Sequence, residues 1–138
     1  MSINDKTIDA LATALNFRQM RQEILASNIA NAETPGYKSK RIDFEAALAR
    51  ALDVEGTNKI LTQDGRHFDV GGGGIEDVAP EIYEDPNGQV SENGNTVDRE
   101  KEMALMAENK LMFDAAVQLL NKKLALKKYI LSAHRAWS

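Results

Sequence analysis

Apolar positions along the chain fall into two long helical patterns separated by a stretch with no lasting period. Over residues ~5–31, Ile8, Leu11, Leu15, Leu25 and Ile29 keep a seven-residue repeat of alternating threes and fours, the mark of one helix face. Arg18 and Gln22 occupy two positions of that stripe, and Phe17 and Ile24 widen it. Polar groups in a seam either fix register or partner choice, as a buried asparagine does in coiled coils, or reach water where the seam bends away.

Over residues ~97–134 a longer helix is predicted, with Met103, Met106, Phe113, Val117, Leu120, Leu124 and Leu131 at a/d positions and Lys110 and Lys127 as the exceptions. A second apolar row, Leu105, Met112, Leu119 and Leu126, lies roughly 130° from the centre of that seam on a helical wheel. At 1.5 Å per residue the helices are about 40 and 55 Å long. Paired as an antiparallel hairpin they bury one seam and leave the second row as an inter-subunit packing surface, unless the middle segment folds over it.

The middle, 34–96, is punctuated by Gly71 to Gly74, Pro80, the Asp85-Pro86-Asn87-Gly88 run and Asn93-Gly94-Asn95, so regular structure there is short. A small helix is expected at 43–52 with Asp43 as its N-cap, and short strands at 59–62, 67–70, 81–84 and 89–91. A connection this long is either a small excursion of its own or a partly ordered arm, and the arm is the reading preferred for the free subunit. The expected class is mainly α: residues 1–33 and 97–138 as the two halves of one discontinuous coiled-coil hairpin, interrupted by an irregular excursion at 34–96.

Composition adds limits. The 138 residues are 43% hydrophobic but only 6% aromatic, enough for helical seams and thin for a large core. There is no cysteine, which removes thiolate metal sites, thiol nucleophiles and disulfides. No basic leader precedes an apolar run and no window approaches a membrane span, so a cytoplasmic location or export without a cleaved signal peptide is expected. Charge is uneven: 53–100 hold three basic and twelve acidic groups, whereas 121–138 hold five basic and none acidic. The basic end reads as a solvated helix terminus favoured by the helix dipole, or as an electrostatic docking surface.

Candidate chemistry is sparse. Ile75-Glu76-Asp77 follows the glycine run where a phosphate-binding loop needs Lys and Ser or Thr. The stretch from Asp85 begins like a calcium loop, with oxygens at Asp85, Asn87 and Gln89, but Val90 stands where glycine is needed and Thr96 where a bidentate Glu belongs. His67 and His134 have no spaced partner. No catalytic residue, cofactor or metal is expected, and the chain reads as a non-enzyme.

The most specialised stretch is ASNIANAETPGYKSKRIDF, from residue 26. Asn31 suits a left-handed helix end, and Thr34-Pro35-Gly36-Tyr37 is the sequence of a type II turn. Asn28 and Asn31 can pair with backbone freed by the bend or with another chain, and Tyr37 offers a ring suited to an interface. The run SNIANAETPGY resembles the signature of bacterial flagellar axial proteins, the rod, hook and hook-associated proteins, with Asn28, Ala30, Asn31, Thr34, Pro35, Gly36 and Tyr37 all fitting. Residues 21–44, residues 94–113 and the small size resemble the basal-body rod members in particular. The resemblance implies a structural rod component in the proximal, periplasmic part of the drive shaft, exported unfolded through the flagellar type III apparatus. Its implied partners are other copies of itself, other flagellar rod proteins, and a FliE-type adaptor with the flagellar export gate below. It implies no nucleic acid and no membrane span. A second reading is a soluble helical-hairpin adaptor or chaperone-like protein with one partner; a third, a nucleic-acid binder using the basic end, is opposed by the acidic middle.

Overall fold

The computed structural model describes residues 2–56 and 74–137. Two long helices, α1 (Ser2–Ala30) and α3 (Arg99–Trp137), form its frame. Asn28 meets Glu102 and Gln22 meets Asn109, so the helices run antiparallel. At equal rise α1 reaches no further than about residue 128 of α3, and the last two turns of α3 extend past it.

The sides of α3 differ from expectation in an instructive way. Its half-buried and buried positions are Glu102, Leu105, Met106, Asn109, Phe113, Ala116, Val117, Leu120, Lys123, Lys127, Ile130 and Ala133. The set Met106, Phe113 and Leu120 is the expected one; the other set is shifted by one residue, to Glu102, Asn109, Ala116, Lys123 and Ile130. Met103, Leu124 and Leu131 are therefore exposed rather than seam residues, while Val117 is half-buried beside the seam. Sequence pattern favours apolar neighbours, and here a charged group, an amide, a small residue and a lysine hold the positions that face α1.

With the seam so placed, the Leu105/Met112/Leu119/Leu126 row lies roughly 75° to one side of its centre, not 130°. Leu105 is half-buried, while Met112, Leu119 and Leu126 stand 45%, 46% and 50% exposed. Met103, Leu124 and Leu131 form a similarly exposed flank on the other side. Among the described residues nothing covers either flank.

The central segment leaves and returns through a two-stranded antiparallel ladder, β1 (Lys40–Asp43) with β2 (Glu81–Glu84), in the register Arg41↔Tyr83 and Ile42↔Ile82. Strand β2 falls where it was expected. Strand β1 was not expected, the 89–91 stretch is not a strand, and those expected at 59–62 and 67–70 lie outside the described residues. Helix α2 (Glu45–Gly56) begins two residues later than predicted, because Asp43 belongs to β1; the first turn closes from Leu48 N–H to Phe44 C=O at 2.8 Å. These elements pack on α1 rather than on the exposed row. Ala10 meets Leu48, Ala51 and Ile75, and Phe17 meets Ile42 and Phe44, with the two rings 5.2 Å apart. The described flanks of the middle are thus a packed lobe, not a loose arm.

Candidate functional site

The specialised stretch builds a polar junction where both helices, the ladder and the returning chain converge. Asn28, in the last two turns of α1, is 0% exposed and uses its whole amide. Its Nδ2 donates to Lys40 C=O at 2.9 Å and to Glu102 Oε2 at 3.1 Å; its Oδ1 accepts Lys40 N–H at 3.0 Å and Tyr37 O–H at 3.1 Å. One side chain so fixes the helix end, the start of β1 and the first turn of α3.

Glu102, 1% exposed, is held by a two-pronged contact from Arg41, Nη1 to Oε2 at 3.0 Å and Nη2 to Oε1 at 2.7 Å. Asp85 sits 3.2 Å from the same guanidinium, and Lys101 lies 3.9 Å from Asp85. A buried carboxylate is tolerable only when paired and hydrogen-bonded in this way. The oxygens from Asp85 onward serve a turn: Asp85 Oδ1 accepts Asn87 N–H at 2.9 Å, and Asp85 C=O accepts Gly88 N–H. No group of three His, Asp or Glu able to hold a metal occurs among the described residues.

The bend itself is a hydrogen-bonded turn with Gly36 at φ 73° and Tyr37 N–H on Thr34 C=O at 3.2 Å. Asn31 is not left-handed: no non-glycine described residue has positive φ. Its amide instead donates to Ser27 C=O at 2.8 Å, capping the helix end from within. The returning chain lies against the turn. Asn95, buried, donates to Asn31 C=O at 2.8 Å and to Thr34 C=O at 2.7 Å, and Gly36 N–H reaches Asn93 C=O at 2.9 Å. Thr96 N–H donates to Tyr37 C=O and its hydroxyl accepts Ser39 N–H at 2.9 Å. A Cβ on Gly36 meets nothing within 4 Å, so Gly36→Ala carries only the left-handed backbone cost, about 1 kcal/mol. Gly88→Ala is sterically worse, since its Cβ would stand 2.8 Å from Thr96 Cβ. Urea unfolding of the two variants should therefore rank Gly88→Ala below Gly36→Ala in stability.

Two turns along, a second polar layer crosses the helix seam. Asn109, 3% exposed, donates to Arg18 C=O at 2.8 Å and Gln22 Oε1 at 2.9 Å, and Arg18 Nη1 approaches its Oδ1 at 3.4 Å. The polar positions of the α1 stripe thus face a polar partner rather than water. Between junction, ladder and α3 runs a groove of about 350 Å³ lined in part by Arg18, Arg21, Tyr83, Leu105, Asn109 and Met112, where the second apolar row begins.

Arg21 joins α1 to the lobe: it pairs with Glu45, donates to Ile42 C=O at 2.6 Å and stacks 4.6 Å over the Phe44 ring. Burial pushes the Glu45 carboxyl up, but the Arg21 hydrogen bond and backbone N–H groups outweigh it and hold it below its ordinary value. A carboxylate depressed in the fold contributes stability above its unfolded pKa and loses it as pH falls through the folded one. The stability difference between the wild type and Glu45→Gln should be flat above about pH 5 and shrink as the solution is acidified from there through the Glu45 titration range. Melting curves across that range check it; the effect is small, because the Glu45 side chain is 49% exposed.

Sequence reasoning named Asn28, Asn31, Thr34, Pro35, Gly36 and Tyr37, and the structure places them at one bend. It missed Arg41's pairing, Asp85, Asn95, Glu102 and Asn109. The available signal was polar residues at helical heptad spacing, Glu102 and Asn109, seven apart.

Comparison with known proteins gives the family. The family model described as flagella basal body rod protein matches residues 8–38, which is most of α1 together with the bend. The chain is 42% identical to the flagellar basal body rod protein FlgB of Cereibacter sphaeroides, over 83% of this chain and 84% of that protein. It is 32% identical to FlgB of Bacillus subtilis over 96% and 98%, and 37% identical to FlgB of Salmonella typhimurium over 80% and 82%. This chain belongs to the FlgB family of flagellar basal body rod proteins.

Proposed function

We propose that this chain, a structural component of the flagellar basal-body rod, works as a self-assembling, non-enzymatic subunit of the proximal rod, the part of the drive shaft that transmits torque to hook and filament. The paired helices α1 and α3 belong to one discontinuous core domain of residues 1–33 and 97–138, with 34–96 as the central segment between its halves. Its partners are copies of itself, other rod proteins, and a FliE-type adaptor with the export gate beneath; it reaches the periplasmic rod through the type III apparatus without a cleaved signal.

The observation that carries this reading is the pair of exposed apolar flanks on α3, which α1 leaves uncovered along a helix of 39 residues. The junction supports it by setting the angle at which the lobe leaves the helices, with Asn28, Asn31, Thr34, Pro35, Gly36 and Tyr37 as its turn. No helix among the described residues is long and apolar enough to cross a membrane.

A tagged copy complementing a deletion strain tests the reading. It should restore swimming and remain with detergent-extracted basal bodies. Recovery of the tag only in a soluble complex with one partner would favour a helical-hairpin adaptor instead.

A further inference from the structure

Apolar packing alone does not set how far α1 and α3 lie along one another. The set Met106, Phe113 and Leu120 repeats every seven residues, so sliding α3 by one heptad, about 10.5 Å, exchanges one apolar side chain for another. The polar positions break this degeneracy. Glu102 and Asn109 are the fully buried side chains of α3 among the described residues. Glu102 belongs to the junction, in the first turn of the helix. Asn109 lies two turns further in, and beyond it no described α3 side chain is fully buried.

A shift in either direction takes Asn109 from Gln22 and Arg18 C=O as well as Glu102 from Arg41, and the one that sets Ala116 against Gln22 leaves that amide unmet. Arg18 C=O, within α1, takes the Asn109 N–H on its free lone pair, so the contact adds a partner without breaking the helix.

We propose that Asn109, with Gln22 and Arg18, is the register-determining residue of the helix pair, the key that holds α3 against α1 when the junction is loosened. It contributes specificity rather than net stability, as a polar group in an otherwise apolar seam does. The assignment does not depend on where in the rod the chain sits.

The full chain has no cysteine, so spin labels can be placed at Ala26→Cys and Gln118→Cys, both exposed and offset along the axis. Their separation is read by pulsed electron resonance in a Glu102→Gln background, which weakens the junction while keeping its shape. That background alone should give one narrow distance. Adding Gln22→Leu and Asn109→Leu should leave helicity and melting temperature equal or higher and introduce a second population, displaced by most of the ~10.5 Å heptad rise. Two populations already in the Glu102→Gln background would overturn the assignment to Asn109. So would a single unchanged distance in the combined variant, or a loss of its helical signal, since paired apolar replacement should not unfold the seam.

Discussion

Glu102→Ala should cost the subunit about 3 kcal/mol, the largest single loss expected from any side chain of α3. Glu102 is 1% exposed and accepts three hydrogen bonds, two from Arg41 and one from Asn28. Its removal leaves the Arg41 guanidinium, itself only 17% exposed, with Asp85 as its remaining carboxylate, and takes away one of the two acceptors of Asn28 Nδ2. Breaking a buried pair from one side ordinarily costs about 3–5 kcal/mol; the surviving Asp85 contact places this case at the lower end. Urea unfolding followed by far-ultraviolet circular dichroism gives the number. The double variant Arg41→Met/Glu102→Met should recover only part of the loss, because it removes the stranded guanidinium but leaves the buried Asp85 carboxylate with Lys101 at 3.9 Å. A loss under about 1 kcal/mol for Glu102→Ala would mean that the junction does not hold the lobe to the helices.

A different balance is expected at the exposed flank. Leu119→Glu and Leu126→Glu alter side chains that are about half exposed in the single chain, so each should change subunit stability by less than about 1 kcal/mol. In a rod the same carboxylates would be buried against a neighbour without a counter-charge, at several kcal/mol per copy. Repeated in every subunit, that cost should abolish swimming and deplete the chain from purified basal bodies while leaving its cellular level intact. Normal motility with both substitutions present would remove Leu119 and Leu126 from any packing surface.

Much of the frame could be read directly from pattern. Ile8, Leu11 and Leu15 announced α1, and Met106, Phe113 and Leu120 announced half of the α3 seam. The other half was hidden because Glu102, Asn109 and Lys123 are residue types that an apolar criterion passes over, and Met103, Val117 and Leu124 beside them fit it better. Strand β1 was hidden for a related reason. Lys40 and Arg41 carry no strand pattern of their own, and only the ladder to β2, more than 35 residues away in sequence, gives them a strand to pair with. The bend was legible in Pro35 and Gly36, whose backbone preferences are local. What Asn28 bonds to was not, since its partners Lys40 and Glu102 are supplied by elements 12 and 74 residues away.

The absence of cysteine also offers the most direct measurement of whether the outer face of α3 is completed by other subunits. A Leu119→Cys chain can be treated with a maleimide both as free subunit and within purified basal bodies. The thiol is expected to react rapidly in the free chain, where Leu119 is 46% exposed, and to be protected in the rod. Equal reactivity in both would contradict the claim that this face is buried on assembly.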